Sequence, residues 1–484
     1  MTALDTSKTV AVIGAGTMGT GIAQVAAAAG HPVLLYDVAE GAAATGIVTI
    51  GKGLGRLVTR EKISRETADA IVGRIVPANG LEALMGASLV IEAIVESLDI
   101  KQALFAQLED IVAADAILVT NSSSISVTSI ARDLNAPGRV AGFHFFNPAP
   151  VMKLVEIVSG RVTDPVIAKT LFDTAAAWGK IAVHTRSTPG FIVNRVARSF
   201  YAEALRLCEE QVADPVTLDA LMKGGGGFPM GPFELMDLIG NDVNYAVSLS
   251  VFNAYYQDPR FRPSLLQLEL VNAGHLGRKS GRGYYDYTEG AKRPLPQFEK
   301  LQAGTPPLEN YKIGTDTELE GVQIAMSDGR MASEVALELR RPVILHDFMI
   351  DGATTLGFTV SADLPDSIVS RFVASLSQEG IEAVRLPDWP GLVVLRTLSM
   401  LANEGFEAAL QGVADQSDID LAMRYGLNHP QGPIIRAKEI GLVRVLSVLD
   451  SLFRLTRDPR YRASFALRIS STGVVAPPVN ADRH

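Results

Sequence analysis

A chain of 484 residues, at roughly 100–200 residues per domain, makes about three domains. Its 47% hydrophobic and 20% charged content suits an enzyme with sizeable cores and excludes a disordered chain. A net charge of −9 argues against a surface that tracks nucleic-acid phosphates, and one cysteine, Cys208, excludes a disulfide framework and fits a reducing, cytoplasmic setting.

The first nine residues, 1–9, lack the apolar core of a signal peptide, and no run approaches the ~20 apolar residues of a membrane span. Residues 10–13 read as a buried strand, 19–29 as a small-residue helix, and 32–36 as a second strand ending at Asp37. Residues 44–76 read as helical and basic. Strands follow at 89–94, 116–120, 140–143 and 154–158. This alternation predicts a doubly wound, mostly parallel sheet over 1–187, a Rossmann-type α/β domain. Residues 188–287 have helical periodicity and predict an all-α domain. Residues 288–312 read as a linker rich in Pro, Lys and Glu, and 313–386 as a small α/β segment. Residues 386–484 are helical again.

The last segment repeats the first helical one. Arg195, Glu203, Asp219, Pro232 and Gly240 recur 201 positions later as Arg396, Glu404, Asp420, Pro433 and Gly441. A constant offset over some fifty residues marks a tandem duplication. Asn194 becomes Leu395, so a site is expected in the first copy and a structural role in the second. The two copies are expected to dock as an internal pseudo-dimer; higher oligomers stay open.

Gly14-Ala15-Gly16-Thr17-Met18-Gly19 directly follows a strand and opens a helix. That is the context in which such a loop binds a dinucleotide: tight turn, close approach to a pyrophosphate, close packing. Asp37 would accept ribose hydroxyls and repel a 2′-phosphate, and no Arg or Lys occurs in 38–50, so NAD is favoured over NADP. His144 stands at the carboxyl end of a predicted strand, and Glu156 is on the strand that runs back. An imidazole with a neighbouring carboxylate is a candidate general base with its orienting partner. No metal site is expected.

The blocks 121–124 (NSSS), 142–156 (GFHFFNPAPVMKLVE), 188–195 (TPGFIVNR) and 227–235 (GFPMGPFEL) resemble the signatures of L-3-hydroxyacyl-CoA dehydrogenases over residues 8–287. The long form resembles the 3-hydroxyadipyl-CoA branch of bacterial phenylacetate degradation more than the short 3-hydroxybutyryl-CoA enzymes. The resemblance implies an acyl-CoA substrate, with His144 as base, Glu156 orienting it, and Ser123 and Asn194 on the reacting oxygen. It puts Glu96, Lys101, Ser123, Asn147 and Lys279 near NAD, and Lys52 and Arg56 near the CoA phosphates. The partner of a tail carboxylate is not identified. The Gly224–Gly227 run departs from the family and is expected to loosen the loop before Phe228. Segment 313–386 lacks both the glycine loop and the His–Glu pair and reads as a decayed second sheet domain. Two other readings are a non-catalytic NAD-binding protein and a 6-phosphogluconate-like dehydrogenase, which would want a lysine where Asn194 stands; the His–Glu pair disfavours both.

Overall fold

The computed structural model describes residues 3–473; residues 474–484, the end of the predicted second helical domain, lie outside the described residues, as do residues 1–2. The chain forms two compact units, residues 1–193 with 412–427, and residues 194–411 with those from 428 on.

The first unit runs β1 (Thr9–Ile13), α1 (Thr17–Ala28), β2 (Val33–Tyr36), α2 (Ala42–Thr59), α3 (Arg65–Gly73), β3 (Ile75–Pro77), β4 (Ala87–Glu92), α4 (Leu98–Ile111), β5 (Ile117–Thr120), α5 (Val127–Ile130), β6 (Val140–Phe145), β7 (Leu154–Ser159), α6 (Pro165–Ala177) and β8 (Ile181–Arg186). The strands stand in the order β3-β2-β1-β4-β5-β6-β7-β8. All neighbours are parallel except β6 and β7. Central strands such as β1 and β5 are continuous apolar runs because helices cover both faces. Ile22, Ile50, Ile71 and Leu171 from α1, α2, α3 and α6 fill one face. Phe105, Leu108 and Val127 from α4 and α5 fill the other.

Two expectations change here. The helix predicted over 44–76 is broken: Glu61 turns left-handed at φ 54° and Ser64 caps a new helix by accepting the Thr67 N–H. The following residues pair as the edge strand β3. β8 was not expected; Val183 and Thr185 are buried while His184 and Arg186 are exposed, the alternation of a half-covered strand.

The second part of the chain contains α7 (Val193–Val196), α8 (Arg198–Glu209), α9 (Pro215–Gly224), α10 (Pro232–Ile239), α11 (Asn241–Ala254) and α12 (Leu265–Asn272). Then come β9 (Thr317–Leu319), β10 (Val322–Met326), α13 (Ala332–Leu339), β11 (Val343–His346), β12 (Thr355–Val360), α14 (Asp366–Gln378) and β13 (Glu382–Arg385). Last are α15 (Val394–Leu410), α16 (Gln416–Gly426), α17 (Pro433–Ile440), α18 (Leu442–Thr456) and α19 (Phe465–Ser471). α16 belongs to the first unit, where Asp418 accepts the His184 N–H and Val413 O accepts the Arg186 N–H, so the open edge at β8 is covered.

In the second unit β9–β13 form a sheet of order β13-β12-β11-β10-β9. The 201-residue spacing that relates the helical copies also relates β12 to β7 and α14 to α6, so this sheet repeats the second half of the first. Asp347, just past β11, accepts the N–H groups of Val393, Val394 and Leu395. Gly357 takes the position corresponding to Glu156, and Leu395 that of Asn194.

The helical copies pack through α8 and α15. Arg195 Nε meets Glu404 at 2.5 Å, and Arg396 Nε meets Glu203 at 2.7 Å. Each pair is the other's image under the repeat, which makes the contact isologous within one chain. All four side chains are buried.

The Gly224–Gly227 run is not loose. A Cβ on Gly224 would lie 2.3 Å from Thr355 Oγ1, and one on Gly227, at φ +75°, 2.5 Å from Ile350 Cδ1. Glycine lets this loop lie directly on the second sheet, with Ile350 and Thr354 N–H groups bonded to Gly225 O and Gly224 O. The predicted linker is also pinned: the Gln297 N–H donates to Thr217, the Glu299 N–H donates to Ala383 O, and Leu308 is buried in the second sheet's core.

Candidate active site

The chain leaves β1 in one direction towards β2 and in the other towards β4, so the sheet's switch point lies at the carboxyl ends of β1 and β4. Ligands of open α/β sheets bind there. The three loop glycines divide the work. Gly14 has φ +103°, and a Cβ there would strike Ala93 O at 2.4 Å. A Cβ on Gly19 would strike Gly14 O, whereas one on Gly16 would meet nothing within 4 Å. Gly16 is the N-cap of α1 and supplies no side-chain cap. An uncapped helix N-terminus opening on free space fits a pyrophosphate. Ala15, Thr17 and Met18 complete that turn. Asp37 follows β2, accepts the Ala15 N–H at 2.6 Å and the Ala39 N–H at 2.9 Å, and has lone pairs left for ribose hydroxyls.

A buried network continues across the strand ends. Glu92, at the end of β4, accepts from Lys101 Nζ at 2.6 Å, Thr120 Oγ1 at 2.6 Å and the Ile94 N–H at 2.7 Å. Glu96 accepts from Ser122 Oγ, from Ser124 Oγ and from the Ser123 and Ser124 N–H groups. Burial opposes ionisation of Glu96, but the Ser122 bond and the Lys101 charge outweigh it and hold its carboxyl below the usual range. Lys101 is 1% exposed and pairs with Glu92 at 2.6 Å and Glu96 at 3.3 Å, so its ammonium holds both carboxylates in place. Glu92 and Thr120 were missed, and Asn121 was read only as part of the 121–124 block. Asn121 Oδ1 accepts the Phe145 N–H and ties the serine loop to β6. An acid ending an apolar strand was the available signal for Glu92.

His144 and Glu156 face each other across the antiparallel β6–β7 pair. His144 Nδ1 lies 2.6 Å from Glu156 Oε2. Glu156 is fully buried, and its other oxygen accepts the N–H groups of Ile192 and Val193, each at 3.1 Å. A carboxylate so satisfied can orient an imidazole without moving. Phe146 and Phe191 pack on the His144 ring at 4.6 and 5.6 Å. Asn147 is exposed just beyond β6, and Ser123 is half-buried. Lys52 and Arg56 stand four residues apart on one exposed face of α2. Asn194 and Lys279 belong to the second unit, where the Asn194 carbonyl accepts from Arg198 and Lys279 pairs with Asp242. No metal-ligating group of three or more side chains occurs among the described residues, and no helix among them is long and apolar enough to cross a membrane.

A dinucleotide loop at the switch point, beside a buried imidazole–carboxylate pair, defines an NAD-dependent dehydrogenase. Residues 9–188 match the family model of the 3-hydroxyacyl-CoA dehydrogenase NAD binding domain, and residues 190–287 and 391–472 that of the family's C-terminal domain. Residues 324–390 match a 3-hydroxybutyryl-CoA dehydrogenase reduced Rossmann-fold domain. The chain is 46% identical over 462 residues to the 3-hydroxyadipyl-CoA dehydrogenase of Escherichia coli, covering 95% of this chain and 97% of that one. It is 39% identical over 287 residues to the mitochondrial hydroxyacyl-coenzyme A dehydrogenase of Sus scrofa, covering 58% and 91%. A crystal structure described as 3-hydroxybutyryl-CoA dehydrogenase of Escherichia coli superposes with a TM-score of 0.93 at 45% identity, covering 97% and 99%. The chain belongs to the 3-hydroxyacyl-CoA dehydrogenase family, and NAD is its cofactor.

Proposed function

We propose that the chain reversibly oxidises the 3-hydroxyl of an (S)-3-hydroxyacyl-CoA to the 3-oxo group, with 3-hydroxyadipyl-CoA of phenylacetate catabolism as its substrate. The His144–Glu156 bond carries this reading. With its Nδ1 proton donated to Glu156, the neutral imidazole has its lone pair on Nε2, where it takes the hydroxyl proton. Glu156 then stabilises the imidazolium. NAD, when bound, supplies the acceptor for the hydride from C3. Ser123 and Asn194 hold the reacting oxygen, and Lys52 and Arg56 take CoA phosphates.

The similarity to the Escherichia coli 3-hydroxyadipyl-CoA enzyme along 95% of the chain supports the dicarboxylyl substrate. The solved Escherichia coli structure carries a 3-hydroxybutyryl name, which keeps the short acyl chain as the second reading. Comparing kcat/KM for 3-hydroxyadipyl-CoA and 3-hydroxybutyryl-CoA decides between them. A preference of about tenfold or more for the dicarboxylyl substrate is expected; an equal or reversed ratio removes it. His144→Gln is expected to lose turnover and keep NADH binding, and wild-type turnover in that variant refutes the proton-transfer role.

A further inference from the structure

Buried arginines in the second unit come with carboxylates: Arg195 with Glu404, Arg396 with Glu203. Arg198 does not. It is 6% exposed, and no carboxylate pairs with it among the described residues. Nε donates to Asn194 O at 3.0 Å, and Nη1 to Ser248 Oγ at 2.9 Å and Asn244 O at 3.3 Å. Its second terminal nitrogen has no protein partner among the described residues. The guanidinium lies over the Tyr201 ring, 4.9 Å from its centroid. Tyr201 is 2% exposed and its hydroxyl has no partner among the described residues. Burial pushes the Tyr201 phenol up to about 12, so it remains a donor at neutral pH.

Arg198, Tyr201 and Ser248 line one cavity, with Arg206, Arg262 and Arg460 further along its wall. Arg206 is taken by Asp458 at 2.8 Å, and Arg460 lies 4.0 Å from Glu203. Glu209, also on the wall, is held by Ser264. Arg262 is exposed to solvent, so the buried charge without a carboxylate is at Arg198. Burying a cation without a counter-charge is unfavourable, and an anionic ligand offsets that cost. The repeat supplies a control. Arg198, Tyr201, Ser248 and Gln267 correspond to Ser399, Ala402, Leu449 and Leu467 in the second copy, which has also lost Asn194. The helical scaffold thus does not need them.

We propose that Arg198, with Ser248 and Tyr201, binds the terminal carboxylate of the acyl chain and so selects dicarboxylyl-CoA substrates. This rests on the proposed reaction and on Asn194 holding the reacting oxygen. Arg198 follows Asn194 by four residues of helical backbone, about 6 Å. In a 3-hydroxyadipyl chain C3 and the terminal carboxyl carbon are separated by three C–C bonds, roughly 4 Å. A helical side chain leans towards the N-terminus, which brings the guanidinium back over Asn194.

The test compares (S)-3-hydroxyadipyl-CoA with (S)-3-hydroxyhexanoyl-CoA, which has a methyl in place of the carboxylate, in wild type, Arg198→Met, Arg198→Lys and Ser248→Ala. The ratio of the two kcat/KM values is expected to fall about 10- to 100-fold in Arg198→Met, less in Ser248→Ala, and to recover in part in Arg198→Lys. The inhibition constants of the non-reacting analogues adipyl-CoA and hexanoyl-CoA are expected to follow the same ratio without turnover. A wild type that favours the dicarboxylyl substrate while Arg198→Met lowers both substrates alike overturns the assignment and leaves Arg198 a support for Asn194. If Arg198→Met does not fold, an unchanged ratio in Ser248→Ala overturns it equally. A wild type with no preference overturns the dicarboxylyl reading itself, and stabilisation of that wild type by free adipate would then assign the cavity to a separate anion.

Discussion

Glu156→Gln isolates the contribution of the buried carboxylate. Glutamine keeps the shape but offers one acceptor oxygen and one NH2. In one orientation the oxygen keeps the N–H groups of Ile192 and Val193 and turns the NH2 on His144. Nδ1 must then accept, the proton moves to Nε2, and the base is lost. In the other orientation the tautomer survives but two buried N–H groups face a donor. At about 1–3 kcal/mol for each unsatisfied group, roughly 2–6 kcal/mol disfavours that arrangement. The first orientation wins, so the variant folds with the wrong tautomer. In a serine-protease triad the corresponding Asp-to-Asn change lowers kcat about 10⁴-fold, and a loss of about 10³-fold or more is expected here. The assay is initial-rate NADH formation at saturating substrate, with NADH binding by fluorescence and a thermal melt as controls. A kcat within tenfold of wild type, on a folded enzyme that binds NADH, would refute the tautomer argument.

Asp37→Ala removes both a 2′-phosphate repulsion and the acceptor of the Ala15 N–H. NAD is expected to bind more weakly and NADP to become usable; unchanged discrimination in the two KM values removes Asp37 from cofactor choice. Gly224→Val forces a side chain into the 2.3 Å approach of Thr355 and is expected to cost about 1–3 kcal/mol, read as a lowered Tm. An unchanged Tm would mean that this loop is not close-packed. Arg396→Met leaves Glu203 buried without its main partner, an expected loss of about 3–5 kcal/mol. Adding Glu203→Leu is expected to restore most of it, and a double variant no more stable than the single would refute the pairing.

Features carried by local spacing were legible in the chain. The glycine loop reads as a site because its three glycines, the preceding strand and the following helix are contiguous. The His144–Glu156 pair reads as a base and its partner because a turn separates two strands. The duplication, and the loss of Asn194 from its second copy, needed only a constant offset. Burial and long-range pairing were decided by the tertiary structure, because they depend on residues far apart in sequence. The burial of Lys101 beneath Glu92 and Glu96 is set by the fold of β4 and α4 and has no local signal. The glycine run at 224–227 looks flexible until Thr355 and Ile350 lie against it. Glu156 gains its two backbone donors from a segment more than thirty residues away. Arg198 is one arginine among many in the sequence; only the packed helices bury it with no carboxylate beside it among the described residues, and that combination singles it out.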